Sequence, residues 1–529
     1  MSYMGTAVNI PIGDMGIFTD DAQTITPPQG LILAENVQIR NGFLEKMPGS
    51  RKWNKTILPS LSIVAMFDWW PTETAQRMIA VTSDGKVWRF TDEYNFTEVV
   101  GTNGAPVALT VTDQVVMVSG GQELAGRDRK LFIFTGNNPI QVISGDATTR
   151  RSILSPSTDW SGSNHPNFGI VFLNRLWVFG NKNQPHLMYG SNVLDHEDFT
   201  TTGSIAFVTV FPGDNERLAC ASNFKGRMVL LKHPFGIYYL NTDNPAIPYA
   251  VKLGNGFGVA SPKAAVQVVD DLWIANSQGT ISRLEATLNL GGLQQADVMK
   301  DMKCYRFINE FTSANNIKLG SALWYENKKM AMFTYSAPSS PNIDRIFIID
   351  FAAGRPRAVF CTKDALNCLV LRRDVTNVQR PFYGGRDGYI YEMDMPDRNV
   401  GGNAYDMKFQ VPYLDFGFVD RSLAERNKNF DFMEVTFEPI GNWNLSADIY
   451  LDNRFSETVN FSMSQEDVLD KNFKLDKSRA SGPGPRSRRV PIHGMGRRIS
   501  ARFYYNGLGN VRVSGVTYYF RAAGQAQKG

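Results

Sequence analysis

The chain has 529 residues, of which 43% are hydrophobic, and its 55 basic and 51 acidic residues leave a formal net charge of +4. A charge so close to balance excludes a polybasic nucleic-acid binder and an acidic disordered chain, and the length suggests two to four domains. Turn and strand formers such as Gly, Pro, Val, Phe and Tyr are abundant, which predicts a mainly β fold.

The N-terminus lacks the basic start and apolar core of a signal peptide, and no apolar stretch reaches the ~20 residues that a membrane span needs. The four cysteines have no CxxC spacing, which argues against a disulfide framework and against a zinc ribbon. These features predict synthesis in a reducing cytoplasm. The cysteines are Cys220, Cys304, Cys361 and Cys368.

After an N-terminal segment (residues 1–58), one pattern occurs four times: an apolar run, a turn that ends in glycine, and a second apolar run. Glycine tolerates the positive φ of tight hairpin turns, so each occurrence predicts a β-hairpin. The turn glycines are Gly85, Gly236, Gly279 and Gly388.

Further strand pairs without that glycine lie at 114–144, 169–181 and 321–351. Hairpins thus recur roughly every 40 to 50 residues, the period of a four-stranded propeller blade. The pattern predicts an irregular β-propeller of six or seven blades over residues 59–400. A pair of stacked β-sandwiches is the alternative.

One segment, near 293–312, breaks the strand pattern. Val298, Met302, Tyr305 and Ile308 are spaced as on one face of a helix. We expect an amphipathic helix inserted between blades, packed on the rim of the ring or against a neighbouring subunit.

The stretch 397–406 marks a boundary, and the alternating residues after it predict a β-sandwich-like domain over 401–529. Within this domain, residues 471–498 carry nine basic residues and one acid, a net charge of +8. Gly and Pro at its centre predict a basic loop that docks on an acidic protein surface or on phosphates, the alternative being a loop that is merely solvated. The candidate contact residues are Arg486, Arg488, Arg489, Arg497 and Arg498.

The most chemically suggestive run is Asp195-His196-Glu197-Asp198. Metal ligands usually converge from separate elements, whereas consecutive loop residues point apart, and the five histidines show no ligand spacing. The chain also lacks a nucleophile elbow, a P-loop and an HExxH motif. We therefore predict no catalytic residues, no metal site and no cofactor, and interpret the run as a solvated acidic loop.

Three segments resemble a known family. Residues 26–53 follow a pattern seen in the tail hub, or nozzle, proteins of short-tailed bacteriophages, which are also called tail tubular or stabilisation proteins. The acidic run is similar to a loop of that family, with His196 in place of the usual proline, and the closing strand "VSGVTYYFRAAG" resembles the family's last segment. The matching residues are Pro27, Pro28, Ala34, Asn36, Val37, Arg40, Gly42, Leu44, Lys46, Pro48, Gly49, Ser191, Asp195, Glu197, Asp198 and Phe199.

The resemblance implies a non-enzymatic virion protein. Such proteins form a six-fold ring, a homo-hexamer, beneath the portal and its adaptor, extend the DNA ejection channel, and hold tail fibres, a spike or a plug. Viral DNA would pass without sequence recognition, and the protein would end in the virion tail after assembly in the host bacterial cytoplasm. The acidic run would be a structural loop after a blade strand.

The rival from another class is a β-propeller that binds or degrades polysaccharide. It would need a carboxylate pair or an aromatic platform in a cleft. Trp69, Trp70, Trp88 and Trp177 lie in or beside apolar runs, where packing in the core is the commoner fate. A WD-repeat scaffold is disfavoured because its Gly-His and Trp-Asp signatures are missing.

Overall fold

The computed structural model describes residues 5–523 except 13, 22–25, 60–61, 105–107, 113, 121–128, 194, 214–215, 255, 287–292, 308–319, 365, 375, 441–442 and 464–484. Within these ranges the chain is nearly all β, with its strands in eight sheets, so the prediction of a mainly β fold is confirmed. No helix in the described part is long and apolar enough to cross a membrane.

The N-terminal segment contributes strands to sheets whose other strands come from much later in the chain. Its strands are β1 (Thr6–Pro11), β2 (Leu33–Glu35), β3 (Val37–Arg40), β4 (Phe43–Lys46) and β5 (Gly49–Lys52).

Seven four-stranded antiparallel units, called here sheets 1 to 7, follow in chain order. Sheet 1 contains β6 (Ile63–Trp69), β7 (Arg77–Thr82), β8 (Val87–Phe90) and β9 (Phe96–Glu98). The short β10 (Val100–Gly101) pairs with the last strand of sheet 2, which contains β11 (Val116–Gly120), β12 (Lys130–Phe134), β13 (Gln141–Ser144) and β14 (Thr149–Ser152). Sheet 3 contains β15 (Phe168–Phe172), β16 (Arg175–Phe179), β17 (Leu187–Gly190) and β18 (Ile205–Thr209).

Sheet 4 contains β19 (Arg217–Phe224), β20 (Arg227–His233), β21 (Ile237–Asn241) and β22 (Tyr249–Gly254). Sheet 5 contains β23 (Ala265–Val268), β24 (Asp271–Ala275), β25 (Ile281–Ala286) and β26 (Leu293–Asp297). Sheet 6 contains β27 (Ala322–Tyr325), β28 (Met330–Tyr335), β29 (Arg345–Asp350) and β30 (Arg357–Thr362), with a 3-10 turn at Glu326–Lys328. Sheet 7 contains β31 (Leu366–Arg373), β32 (Gln379–Gly385) and β33 (Ile390–Met395), and β5 supplies its fourth strand.

The predicted hairpins are confirmed. Gly85, Gly236, Gly279 and Gly388 all have positive φ, and each lies between the second and third strands of its sheet, in sheets 1, 4, 5 and 7. The strand pairs at 114–144, 169–181 and 321–351 are also present, in sheets 2, 3 and 6.

The seven sheets are arranged in a propeller-like manner. The first strand of each sheet contacts the first strand of the next, and β31 of sheet 7 contacts β6 of sheet 1. The number of sheets falls within the predicted six or seven. Apolar side chains of successive sheets pack together, as Ala65 and Val81 of sheet 1 do with Leu131 of sheet 2 and with Val115 just before that sheet.

The helix predicted near 293–312 is wrong for residues 293–297. Residues 293–297 form β26, which pairs with β25 and completes sheet 5. Residues Val298–Asp301 form α1, a single turn in which the Met299 and Lys300 amides donate to the Asp297 carboxylate at 3.1 and 3.2 Å. Pairing with the edge of β25 satisfies the backbone of residues 293–297, so the helical turn begins only at Val298. Residues 308–312 lie outside the described part.

The remaining strands build a C-terminal two-sheet domain. They are β34 (Asp406–Gln410), β35 (Lys428–Glu438), β36 (Asn444–Leu451), β37 (Arg454–Ser462), β38 (Arg486–Gly496), β39 (Ile499–Asn506) and β40 (Arg512–Ala522), with a 3-10 turn at Arg421–Leu423. One sheet has the order β3-β4-β40-β35-β38, with β1 also paired to β40, and the other has the order β34-β39-β36-β37. Trp443 packs between them, 6.0 Å from the Phe437 ring and 5.9 Å from the Tyr505 ring.

The N-terminal segment joins this domain to the seven sheets. β2 pairs with β30 of sheet 6 on one side and with β34 on the other, which makes one continuous nine-stranded sheet. The segment predicted to precede the propeller therefore holds the two parts of the molecule together.

Candidate functional surfaces

The acidic run connects sheet 3 to sheet 2. The Glu197 side chain, 2% exposed, accepts hydrogen bonds from Arg151 at 2.5 and 2.8 Å and forms an ion pair with Lys130 at 2.6 Å. Burial raises the pKa of Glu197, but the hydrogen bonds from Arg151 and Lys130 outweigh burial and hold the pKa below its ordinary value. Its charge is thus neutralised within the protein.

The neighbouring residues also serve local structure. Asp195 accepts the Glu197 amide at 3.1 Å, and Asp198 accepts the amides of Thr200 and Thr201 at 3.0 and 3.1 Å. Although burial raises the pKa of Asp198, these and other hydrogen bonds lower it to about 2. The run is a structural loop, but the expectation that it is solvated was wrong, because His196, Glu197 and Asp198 are all buried.

The other two family-motif residues near this loop anchor its ends. The Ser191 hydroxyl oxygen accepts the Leu176 amide at 2.9 Å, and the Phe199 ring packs edge-on against Trp160 at 4.9 Å. Among the described residues, no group of three or more His, Cys, Asp or Glu is arranged to hold a metal ion.

Asn36 lies where sheet 6, the N-terminal segment and the C-terminal domain meet. Its side-chain amide donates to the Asp406 carbonyl at 2.6 Å, and its side-chain oxygen accepts the Thr362 amide at 2.9 Å. Its φ is +56°, a left-handed conformation that Asn tolerates better than most residues. A buried side chain with these partners acts as a joint between the two parts.

Four further motif residues, Gly42, Gly49, Pro48 and Pro28, lie in the N-terminal segment. Asn41 and Gly42, with φ of +52° and +78°, form the tight turn between β3 and β4. Gly49 begins β5, and a side chain there would overlap the carbonyl oxygens of Asp397 and Asn399. Pro48, which precedes it, lines a cavity described below, and Pro28 lies in the turn that the Gly30 amide closes on the Pro27 carbonyl at 2.8 Å.

Two charged residues of β4, Lys46 and Glu45, are buried. Lys46 belongs to the family motif, whereas Glu45 does not. Lys46 is fully buried, donates to the Gly507 carbonyl, and lies 4.1 Å from the centre of the Tyr405 ring. Glu45, 4% exposed, accepts from Gln38 at 2.6 Å and from Arg512 at 2.8 Å. Glu45 has no sequence signal beyond its place in an alternating strand.

Arg486, Arg488 and Arg489 lie in strand β38, so the prediction of a loop was wrong for them. Arg489 pairs with Glu434 on β35 at 2.9 and 2.8 Å and lies 4.0 Å from the centre of the Tyr519 ring. An acid on the neighbouring strand gives this arginine an internal partner, which composition alone does not reveal. Residues 471–484 lie outside the described part.

Arg497 and Arg498 follow β38 in the turn to β39. Their backbone amides donate to the Asp452 carboxylate at distances of 3.0 and 3.1 Å, and the Arg497 side chain is exposed. Arg488 instead donates from Nε to the Ser462 carbonyl at 3.1 Å, which joins β38 to the edge of β37. The structure thus spreads the five arginines along one edge of the domain.

Two hydrogen bonds connect sheets 2, 5 and 6 at a single backbone carbonyl. The Gln114 side chain, just before β11 of sheet 2, donates to the Gly320 carbonyl, just before β27 of sheet 6, at 2.8 Å. The Ser261 hydroxyl, near the start of sheet 5, donates to the same carbonyl. The Gly320 carbonyl therefore accepts from two side chains, one beside sheet 2 and one beside sheet 5.

Large apolar side chains are exposed on the outer strands of sheets 3 and 4. Phe207 on β18, Tyr249 on β22 and Ile247 just before it are 57%, 55% and 71% exposed, and β18 contacts β22. Clustered exposed apolar side chains mark interaction surfaces. We call this cluster the outer apolar edge.

The tryptophans are a different case. Trp69, Trp88 and Trp177 are buried, as the sequence predicted, and Trp70 is half-buried.

Two cavities of similar size lie at the joint. The hairpin cavity, about 530 Å³, is bordered by the β3–β4 hairpin and by Lys328 and Arg398. The junction cavity, about 520 Å³, lies between sheets 6 and 7, the N-terminal segment and the C-terminal domain. Its walls include Lys52, Lys363, Tyr383, Asp387, Tyr391 and Tyr405. Sequence reasoning did not identify these residues, because they come from chain segments far apart.

No protein-family model matches this chain, and no curated protein matches it. Among solved structures, the chain is similar to the computationally designed Ika8 protein, with 11% identity, a TM-score of 0.36, and coverage of 73% of this chain and 99% of that one. It is also similar to YCF48 from Cyanidioschyzon merolae, with 10% identity, a TM-score of 0.39, and coverage of 65% and 98%. Likeness at this level says nothing about function.

Proposed function

We propose that the protein is a non-enzymatic structural subunit of a short-tailed phage virion, in which six copies form the tail hub or nozzle ring below the portal and adaptor. The proposal rests on where the residues of the N-terminal motif lie in the fold. Asn36 and Gly49, two of its motif residues, tie the seven sheets to the C-terminal domain. A rigid two-part body suits a subunit that transmits force and holds fibres or a spike.

The proposal treats the seven sheets as the blades of a closed seven-bladed propeller. Support comes from the contact between β31 and β6, and from β5, which completes the last sheet with a strand from the start of the chain. Closure of this kind leaves few free sheet edges, and the loops at both ends stay available for partners.

Viral DNA would pass through the ring of subunits and not through the centre of one propeller. In such a propeller the hydrogen bond from Gln114 to the Gly320 carbonyl would cross the centre, which would leave no path for a duplex. The near-neutral charge of the chain suits a conduit, because strong attraction to phosphates would slow the passage of DNA.

The outer apolar edge is the surface we assign to contact between subunits. Burial of Phe207 and Tyr249 would remove apolar area from water, and pairing would protect the free edge of β22.

The test is electron microscopy of the purified protein at high concentration, with and without cross-linking and with added adaptor. Six-fold rings with a central hole are expected. The double variant F207E/Y249E should lower the ring fraction about tenfold, since two buried charges would oppose the contact. Y94E, at a residue 62% exposed on sheet 1, is the matched control. Compact single particles in every condition, adaptor included, would contradict the proposal.

The arginines of β38 receive a separate test. R486S/R488S should weaken incorporation into particles if these residues contact the adaptor, a neighbouring subunit or a fibre. R489S is the internal control, because Arg489 is already paired with Glu434. Unchanged incorporation of the double variant would show that Arg486 and Arg488 do not contact a partner.

The second candidate is a polysaccharide-binding or polysaccharide-degrading protein, favoured by the tyrosines and carboxylates of the junction cavity. Turnover of capsular polysaccharide by the purified protein would support it. The burial of Trp69, Trp88 and Trp177 leaves these three residues without the exposed faces that a sugar platform needs.

A further inference from the structure

The junction cavity has the size and position of a ligand site. Its volume of about 520 Å³ falls in the range of small-molecule pockets, which often form where domains meet. Its walls come from sheet 6, sheet 7, β5 and the C-terminal domain, so only the assembled fold creates it.

A buried lysine, Lys363, borders the cavity. Lys363 is 3% exposed, and its Nζ donates to the Ser50 hydroxyl at 3.2 Å and lies 5.4 Å from the centre of the Tyr405 ring. In the described part of the chain it forms no ion pair. An ammonium group has three hydrogens to donate, so an acceptor in the cavity would complete its bonding.

The carboxylates of the cavity require a ligand that donates hydrogen bonds. Asp387 accepts from the Tyr391 hydroxyl at 2.6 Å and from the Tyr389 amide at 3.3 Å, and retains lone pairs for a further donor. Asp364, beside Lys363, lines the same cavity and is exposed. The ligand must therefore donate to carboxylates as well as accept from an ammonium group.

Aromatic rings complete the lining. Tyr383 and Tyr391 stack at 4.6 Å, Tyr405 borders the cavity, and the Lys52 ammonium lies 3.8 Å from the centre of the Tyr389 ring. Such rings pack against the C–H faces of a ligand while their hydroxyls stay polar.

These features exclude most ligand classes. Carboxylates oppose a purely anionic ligand, lysines oppose a cation, and the polar lining opposes a hydrocarbon. Hydroxyl groups both donate and accept, so a hydroxyl-rich ligand meets both requirements. We propose that the junction cavity binds a neutral, hydroxyl-rich ligand, a mono- or disaccharide, with Lys363 and Asp387 as its polar anchors. This inference is independent of ring assembly.

The test is saturation-transfer NMR and calorimetry on the full chain with maltose, lactose and N,N′-diacetylchitobiose as probes, and inorganic phosphate as a comparison. We expect at least one sugar to bind with a Kd on the order of 1 mM or tighter. K363M and D387N should each weaken it about tenfold, because each leaves a polar partner unpaired.

Folding is controlled in two ways. K363M replaces a buried charge by an apolar group of similar length, a change that proteins often tolerate. K328M, at the hairpin cavity, should leave sugar affinity unchanged. Absence of binding by all three sugars overturns the proposal. So does phosphate binding that K363M abolishes, because the cavity would then be an anion site.

Discussion

Replacement of Asn36 by Ala tests whether the joint depends on one side chain. The Asn36 amide group makes two hydrogen bonds to backbone groups in separate parts of the fold, the Asp406 carbonyl and the Thr362 amide. Its φ of +56° adds a conformational requirement that alanine meets poorly.

The expected cost follows from these two terms. A backbone group left buried without a partner costs about 1–3 kcal/mol, so two such groups cost about 2–6 kcal/mol. An L-residue without a polar side chain in the left-handed region adds about 1–2 kcal/mol. N36A should therefore destabilise the protein by about 3–8 kcal/mol, and N36G by less, because glycine adopts the same φ without strain.

Asn41 provides a matched control. It lies in the adjoining hairpin with a φ of +52°, it is exposed, and within the described part its side chain makes no hydrogen bond. N41A should thus cost only the conformational term. Urea denaturation gives the three differences in stability, and hydrogen exchange at the Thr362 amide reports the lost acceptor directly.

The reasoning fails if N36A costs no more than N41A. It also fails if the Thr362 amide stays as protected in N36A and N36G as in the wild type. Either result would mean that strand pairing through β2 alone holds the joint.

Two further predictions concern buried charges. Lys428 is fully buried and donates to the carbonyls of Leu423, Arg426 and Arg497 at 2.6, 3.0 and 2.7 Å, and burial lowers its pKa from 10.5 to about 8. Between about pH 8 and pH 10.5 the unfolded chain binds more protons than the folded protein, so the free energy of unfolding rises with pH. The K428M variant should reduce this rise by up to about 1.4 kcal/mol per pH unit. Equal slopes for the variant and the wild type in urea denaturation series at pH 8–10 would contradict this. E197Q should destabilise the protein by about 3 kcal/mol at neutral pH, because it leaves Lys130 and Arg151 without their counter-ion. Since the pKa of Glu197 lies below its ordinary 4.5 in the fold, the deficit should shrink as pH falls below 4.5, and thermal unfolding with a constant deficit would refute the ion-pair origin.

Features that depend on residues close together in the chain were predicted correctly from the sequence. The turn at Gly85 needs positive φ and lies between two apolar runs, so its hairpin follows from residues close in the chain. The same holds for Gly388. Burial of Trp69, Trp88 and Trp177 was predictable because each lies in or beside an apolar run.

The errors share one cause, which is a partner far away in the sequence. Arg489 seemed to belong to a loop because Glu434, its partner, is 55 residues away. The predicted helical segment was extended back to residue 293, but residues 293–297 pair with the edge of β25. Glu197 was predicted to be solvated because its partner Arg151, on sheet 2, is 46 residues away in the sequence. The junction cavity was unpredictable for the same reason, since Lys363 and Asp387 meet Tyr405 only after the two parts dock.

The N-terminal segment also determines the order in which the fold becomes complete. β5 pairs with β33 near residue 390, and β1 and β4 pair with β40 near the C-terminus, so these sheets form only after most of the chain is present. Deletion of residues 1–52 should leave unpaired edges on β30, β33 and β40, which are templates for intermolecular pairing. We expect the deleted protein to aggregate at concentrations where the full chain stays dispersed in light scattering. A dispersed, cooperatively folding deletion would show instead that the seven sheets and the C-terminal domain are each complete without the segment.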